Sequence, residues 1–290
     1  MHILAIVSLP LTITPRYDVS SIAAILLLPL LVSGCFDRYR TTDSLCNDNP
    51  QLCQPLNLND GQCRIQRTNL IWQRYDTLQT PTDQHKFKEL KATQEYQFCL
   101  EYAARIEPTE LKQRKTKRIK ALHHSYEAID RLTQELQFSQ DPHIIFYRWA
   151  QGDQTAKQQF IALEGNTELE HPELQLALAS YYIDKNKTKT ISILHHSLSL
   201  YKANDNININ ILHTLATLYY QQEDIAAAYV WTKVANQYQS NTPPKTVTSS
   251  MKNRFSLTDK ERQKLNTTVI DIVKKLNNGQ YIQTTIKLPN

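Results

Sequence analysis

Leu174, Tyr181 and Tyr182 recur as Leu212, Tyr219 and Tyr220, an offset of 38 residues at all three positions. After a turn one residue shorter, Leu194, Leu198 and Tyr201 recur as Trp231, Ala235 and Tyr238, an offset of 37. Each copy holds two stretches of helical periodicity, residues 172–184 and 188–202, then 208–221 and 223–238. An earlier pair, 142–150 and 153–163, is broken at Gln151-Gly152. A unit of two helices cannot bury its apolar stripes alone, so neighbouring copies must stack, which is the logic of an α-solenoid. Glycine usage agrees: only five occur, and just Gly61, Gly152, Gly165 and Gly279 follow residue 34. So few glycines leave little material for tight β-hairpins. The expected fold is all-α.

Upstream of the repeats, residues 62–78 and 84–106 read as two further helices joined at Thr80-Pro81-Thr82-Asp83, a stop followed by a cap. In an antiparallel helical hairpin, residues equally far from the turn lie at the same height. Cys63 lies eighteen residues before Pro81 and Cys99 eighteen after it. Four cysteines, Cys46, Cys53, Cys63 and Cys99, allow three pairings, and the hairpin selects Cys63–Cys99 with Cys46–Cys53 closing a small loop. A third helix is expected from Pro108 to about Phe138, with Ile119, Leu122, Tyr126, Ile129, Leu132 and Leu136 on its apolar stripe. Its first half carries Lys112, Arg114, Lys115, Lys117, Arg118 and Lys120. That run suits anionic lipid headgroups or an acidic partner, but a solvated helix face is the commoner origin of such a run.

The N-terminus supplies an address. Residues 22–32 form an apolar run of eleven residues, too short to span a bilayer but suited to a signal-peptide core. It leads into Val32-Ser33-Gly34-Cys35, which resembles a lipobox, with Cys35 the residue that would take the lipid. The only leader cation, Arg16, is offset by Asp18, which points either to a functional start downstream of Met1 or to a weak n-region. Phe36 rather than Asp follows the cysteine, which by family-level sorting implies the outer membrane, facing the periplasm. An even set of four further cysteines suits that oxidising compartment. The net charge of +5 is unchanged without the leader and too dispersed to indicate nucleic acid.

Leu212, Leu215, Ala216, Tyr219, Ala228 and Ala235 stand at the spacing of key tetratricopeptide positions, so residues 141–240 resemble that family. Trp231 and the run Ala226-Ala227-Ala228 are also similar to Sel-type repeats. The copy at 174–202 departs from the pattern, with Ile191 where a second small residue belongs. The whole chain, including its NLNDGQCRIQRTNLIW stretch, resembles a family of uncharacterised Gram-negative lipoproteins known only as a domain of unknown function. The organisation so implied is a leader over 1–34, a lipidated tether with a small disulfide loop over 35–60, and an N-terminal helical region over 61–140. Repeats follow over 141–240, then a loop over 241–255 and a capping helix with tail over 256–290, opened by a capping box at Ser256 to Asp259.

No catalytic signature is present: there is no G-x-S-x-G, no H-E-x-x-H, and no glycine loop for phosphate or dinucleotide. The pairs His123-His124 and His195-His196 point about a hundred degrees apart on a helix, a poor chelate. Glu168, Glu170 and Glu173 surround Pro172 where a helix begins and suit its dipole. Neither a metal nor a cofactor is expected. Arg64, Arg67 and Arg74 share one face near Asn69 and could hold carboxylates or sugar acids, yet Asp60 and Asp76 are near enough to neutralise them. The tyrosines offer the other surface. In tetratricopeptide arrays the inner helices line a concave groove, so Tyr181, Tyr182, Tyr219, Tyr220 and Trp231 become candidate partner contacts, one of each tyrosine pair facing the core. Two functions are therefore expected. The first is a lipid-anchored interaction scaffold, not an enzyme, bound to another envelope protein. The second is an envelope enzyme or peptidoglycan-binding protein that uses the Arg64–Arg74 face.

Overall fold

The computed structural model describes residues 40–107, 113–239 and 257–287, and among these it is all-helical, with no strand. The leader, Cys35, Pro108, Lys112, the 241–255 loop and Ser256 lie outside the described residues. The chain divides into two compact units, Met1–Arg131 and Leu132–Asn290. No described helix is long and apolar enough to cross a membrane.

The N-terminal unit begins with α1 (Thr42–Asp48), capped by the Thr41 hydroxyl, and a 3₁₀ turn at Pro50–Leu52. Over its described residues this stretch, read above as a tether with a small disulfide loop, is helical and packed. Leu45, Leu52 and Leu56 are buried with Leu70, Ile71 and Tyr96, so three leucines spaced along a polar segment suffice to fix it. Helices α2 (Arg64–Gln79) and α3 (Asp83–Ala103) then form the hairpin. Thr82 caps α3 by accepting from the His85 N–H at 3.2 Å. Both disulfides join the cysteines the hairpin register selects: Cys46–Cys53 and Cys63–Cys99, with Cα atoms 5.6 and 5.7 Å apart.

Helix α4 (Gln113–Glu135) buries Leu132 as expected, but upstream of it the buried stripe lies one position before the expected one. Arg118, Ala121, Ser125, Ala128 and Leu132 face inward, whereas Ile119 and Tyr126 are exposed. The period is right, and the phase is shifted only before Leu132, with Leu136 beyond it also buried as expected. Small Ala and Ser on the inner face leave room for the Arg118 side chain to be buried, a choice that hydrophobicity alone does not reveal.

The C-terminal unit is built of successive helix pairs, most of their helices opened by a side-chain cap and α7 an exception. Helices α5 (Pro142–Ala150) and α6 (Gln154–Ala162) start at Asp141 and Asp153. After a 3₁₀ turn at Thr167–Leu169 come α7 (Pro172–Tyr182) and α8 (Lys187–Ser199), the latter capped by Asn186. Next come α9 (Ile209–Gln221), capped by Asn208, and α10 (Ile225–Gln239). The members of each pair pack together, α5 packs on α7, α8 on α9, and α10 on α11 (Asp259–Asn277). The capping box of α11 is Thr258 with Glu261, two residues beyond the expected one, because Thr258 alone brings a glutamate to its third helical position.

One continuous core fills this unit, from Phe160 through Leu174, Leu194 and Leu212 to Trp231 and Ile272, all at 2 % exposure or less. Ala226, Ala227 and Ala228 are buried where α10 meets its neighbours. The tail after α11 turns at Gly279, where φ is +63° and a Cβ would stand 2.5 Å from the Ala203 nitrogen. Only glycine fits there. The turn delivers Tyr281 into the core.

Candidate functional site

The C-terminal end of α7 sets Tyr181 and Tyr182 side by side, ring centroids 4.9 Å apart and edge-on, both half-buried. Trp149 of α5 meets Tyr181 edge-on at 6.3 Å. Lys185 stands 3.2 Å from the Tyr181 ring centre and Lys189 3.8 Å from that of Tyr182. Lys185, by hydrogen bond and by charge, lowers the Tyr181 hydroxyl below the usual phenol range. The Tyr182 hydroxyl donates to Glu164 at 2.6 Å, and Lys189 pairs with the same carboxylate at 2.6 Å. Tyr182 packs against the core while Tyr181 lies against Trp149 and Lys185, and together the two rings form an aromatic and cationic patch.

The second pair also divides. Tyr220 is 47 % exposed, while Tyr219 turns inward. His195 lies between two phenols, its Nε2 2.8 Å from the Tyr219 hydroxyl and its Nδ1 2.6 Å from that of Tyr281. A neutral imidazole has one N–H and one lone pair, so one tyrosine accepts from the ring and the other donates to it. Burial pushes His195 down to about 4, Tyr219 up to about 12, and Tyr281 further up. Trp231 packs against His195 at 5.3 Å and is wholly buried, so it belongs to the core and not to a partner surface. Beside the exposed tyrosine, a groove of about 420 Å³ runs between the α7–α8 turn and α9, lined by Ile183, Lys187, His213, Thr217 and Gln221 rather than by tyrosines.

In the N-terminal unit most of the arginines are engaged within the protein. Arg67, 6 % exposed, donates to the Asp60 carbonyl at 2.9 Å and to that of Asn57. Arg74 donates to the Leu52 carbonyl at 3.0 Å and faces Glu89. Arg64 is exposed. From the basic run, Arg118 is buried and binds Asp60 through Nε at 2.6 Å and Nη2 at 3.3 Å, while Lys115 pairs with Glu107. The Arg118 guanidinium holds Asp60 down to about 2, against the opposing pull of burial. Arg114, Lys117 and Lys120 remain exposed.

One grouping was not anticipated. His143 in the first turn of α5, and His171 and Glu173 at the start of α7, each bring a ligand atom within 4.8 Å of the other two. The His143 and His171 rings meet edge-on at 4.8 Å. His171 and Glu173 also line a cleft of about 810 Å³, with Glu170, Tyr201, Asp205 and Tyr238. The residues are 28 apart in sequence, and only the packing of α5 on α7 joins them. In the sequence the adjacent pairs His123-His124 and His195-His196 are the more conspicuous histidines. The readable signal was a histidine and a glutamate flanking the proline that opens α7.

The described residues thus define an all-helical protein with a disulfide-stapled N-terminal unit and a C-terminal unit of successive helix pairs. The chain belongs to the family described as "Protein of unknown function (DUF2989)", whose pattern matches residues 32–233. No curated protein and no solved structure matches it.

Proposed function

We propose that this is a lipoprotein of the cell envelope, anchored through Cys35 to the outer membrane and facing the periplasm, that serves as an interaction scaffold. The observation that carries the reading is the partition of the cysteines. Cys46, Cys53, Cys63 and Cys99 pair with one another, which leaves Cys35, at the end of the apolar run, as the remaining thiol. Disulfides belong to oxidising compartments, so the pairing favours export. The family match begins at Val32 and so includes the cysteine and the small residues before it.

The helix pairs α7–α8 and α9–α10 are read as two copies of a tetratricopeptide-like or Sel-like unit, with α11 covering the last. Their 38-residue offset and their sequential packing both support a solenoid. Tyr181, Tyr182 and the exposed Tyr220 supply partner contacts of the kind enriched at binding hot spots. The reading is tested at the anchor. Growth with a fatty-acid analogue should label the wild-type protein and leave Cys35→Ser unlabelled and soluble after fractionation. Labelling of Cys35→Ser equal to wild type would refute it.

A further inference from the structure

We propose that His143, His171 and Glu173 form a binding site for a divalent transition-metal ion, with Zn²⁺ the ion their chemistry suits. Two imidazoles and one carboxylate are a ligand set of borderline softness, favouring zinc over the harder magnesium or calcium. The three ligand atoms already lie within 4.8 Å of one another. Nitrogen and oxygen donors around tetrahedral zinc stand roughly 3.4 Å apart, so the ion needs a contraction of at most about 1.4 Å. Side-chain rotation supplies it, because His171 and Glu173 are exposed and His143 is half-buried.

Two helix N-termini meet at this point, and their dipoles by themselves disfavour a cation. The local carboxylates reverse that. Asp141 caps α5 by accepting from the His143 N–H at 2.8 Å, and Glu173 stands in the first turn of α7. Glu170, adjacent to His171, binds His196 Nε2 at 2.8 Å and adds a further negative group. His171 occupies the N-cap of α7 without making a side-chain cap bond, so its ring is not needed to hold the helix start. With three protein ligands, two of which line the 810 Å³ cleft, the fourth coordination position faces that cleft. A water, or a donor atom from a bound molecule, would complete the shell. The ion would also tie the first turn of α5 to that of α7, joining successive helix pairs.

The test uses the full chain, purified in detergent and stripped with a chelator. Calorimetric titration with Zn²⁺ at neutral pH should show one site, and Co²⁺ should give the visible absorption of a low-symmetry four-coordinate centre. His171→Ala and Glu173→Gln should each weaken Zn²⁺ binding by more than about tenfold, since loss of an outer-shell partner alone costs roughly 10–100-fold. His123→Ala with His124→Ala should leave it unchanged. Melting curves of each variant in chelator show whether the fold is intact. Absence of binding in an intact wild-type protein, or Zn²⁺ binding undiminished in the doubly substituted His171→Ala, Glu173→Gln protein, overturns the proposal.

Discussion

In the N-terminal unit the buried polar side chains include charged ones, Asp60, Arg67, Glu89 and Arg118, whereas in the C-terminal unit they are neutral, Ser139, Gln175, Thr190, His195 and Ser197. The first unit has a small apolar cluster, and it compensates with two disulfides and an ion pair whose every partner is bonded. The second has enough repeated apolar surface to bury Trp231 and Phe160 fully and needs no crosslink. The contrast bears on function. Several charges that look like a binding face in the sequence of the first unit, Arg67, Arg74 and Arg118, are engaged by its fold. In the second, Tyr220, His171 and Glu173 are exposed to solvent.

The largest expected effect separates the two units by redox. For loops of 36 and 7 residues, the bridges contribute roughly 4 and 2.5 kcal/mol by the chain-entropy estimate. Reduction should therefore strip amide-exchange protection from α2 and α3 while α7 to α10 keep theirs. Equal loss in both units would show that the crosslinks do not act locally. Next in size is Asp60→Asn, which leaves Arg118 buried beside a neutral amide. Breaking such a pair costs about 3–5 kcal/mol. Urea unfolding should place that loss in the N-terminal unit, and a change under ~1 kcal/mol would mean that Arg118 finds another acceptor.

The C-terminal counterpart is a dependence on pH. Burial lowers His195 to about 4 from an ordinary 6.5. Above 6.5 the ring is neutral whether the chain is folded or not, and its full contribution is present. As pH falls below 6.5 the unfolded chain takes up a proton that the folded one refuses, so stability declines until about 4. The whole effect is at most roughly 3 kcal/mol. His195→Gln keeps a donor and an acceptor but does not titrate, and its stability should be flatter than wild type between those limits. Parallel pH profiles for the two proteins would remove His195 from the account.

Much of this fold is legible in the sequence because its signals are local. Asp141, Asp153, Asn186 and Asn208 mark helix starts, and Pro81 marks the hairpin turn from which the Cys63–Cys99 register follows. What escapes the sequence is pairing at a distance. Arg118 reaches Asp60 across 58 residues, and nothing in the periodicity of α4 says that an arginine points inward. The fate of the Arg67 and Arg74 face follows from the same gap, since their acceptors are carbonyls of the segment read as a tether with a small disulfide loop. Tyr281 and His143 escape for a third reason. One leaves a tail with no helical period, and the other meets its neighbours only through α5 packing on α7.

The smallest expected effect lies in the pair Tyr219 and Tyr220, adjacent residues on one helix with opposite surroundings. Tyr219 is half-buried and bonded to His195, so its replacement by alanine removes packing and leaves an imidazole nitrogen short of a partner. That should cost about 3 kcal/mol. Tyr220 is 47 % exposed, and Tyr220→Ala should change stability by no more than ~0.5 kcal/mol. If the exposed face of α9 is a contact surface, the same substitution should weaken partner binding by about 2 kcal/mol, the size of a hot-spot residue. A Tyr220→Ala protein that melts several degrees lower would place this side chain in the packing of the unit. The surface role would then fall to Tyr181 and Tyr182, whose lysine neighbours already mark them as the more cationic site.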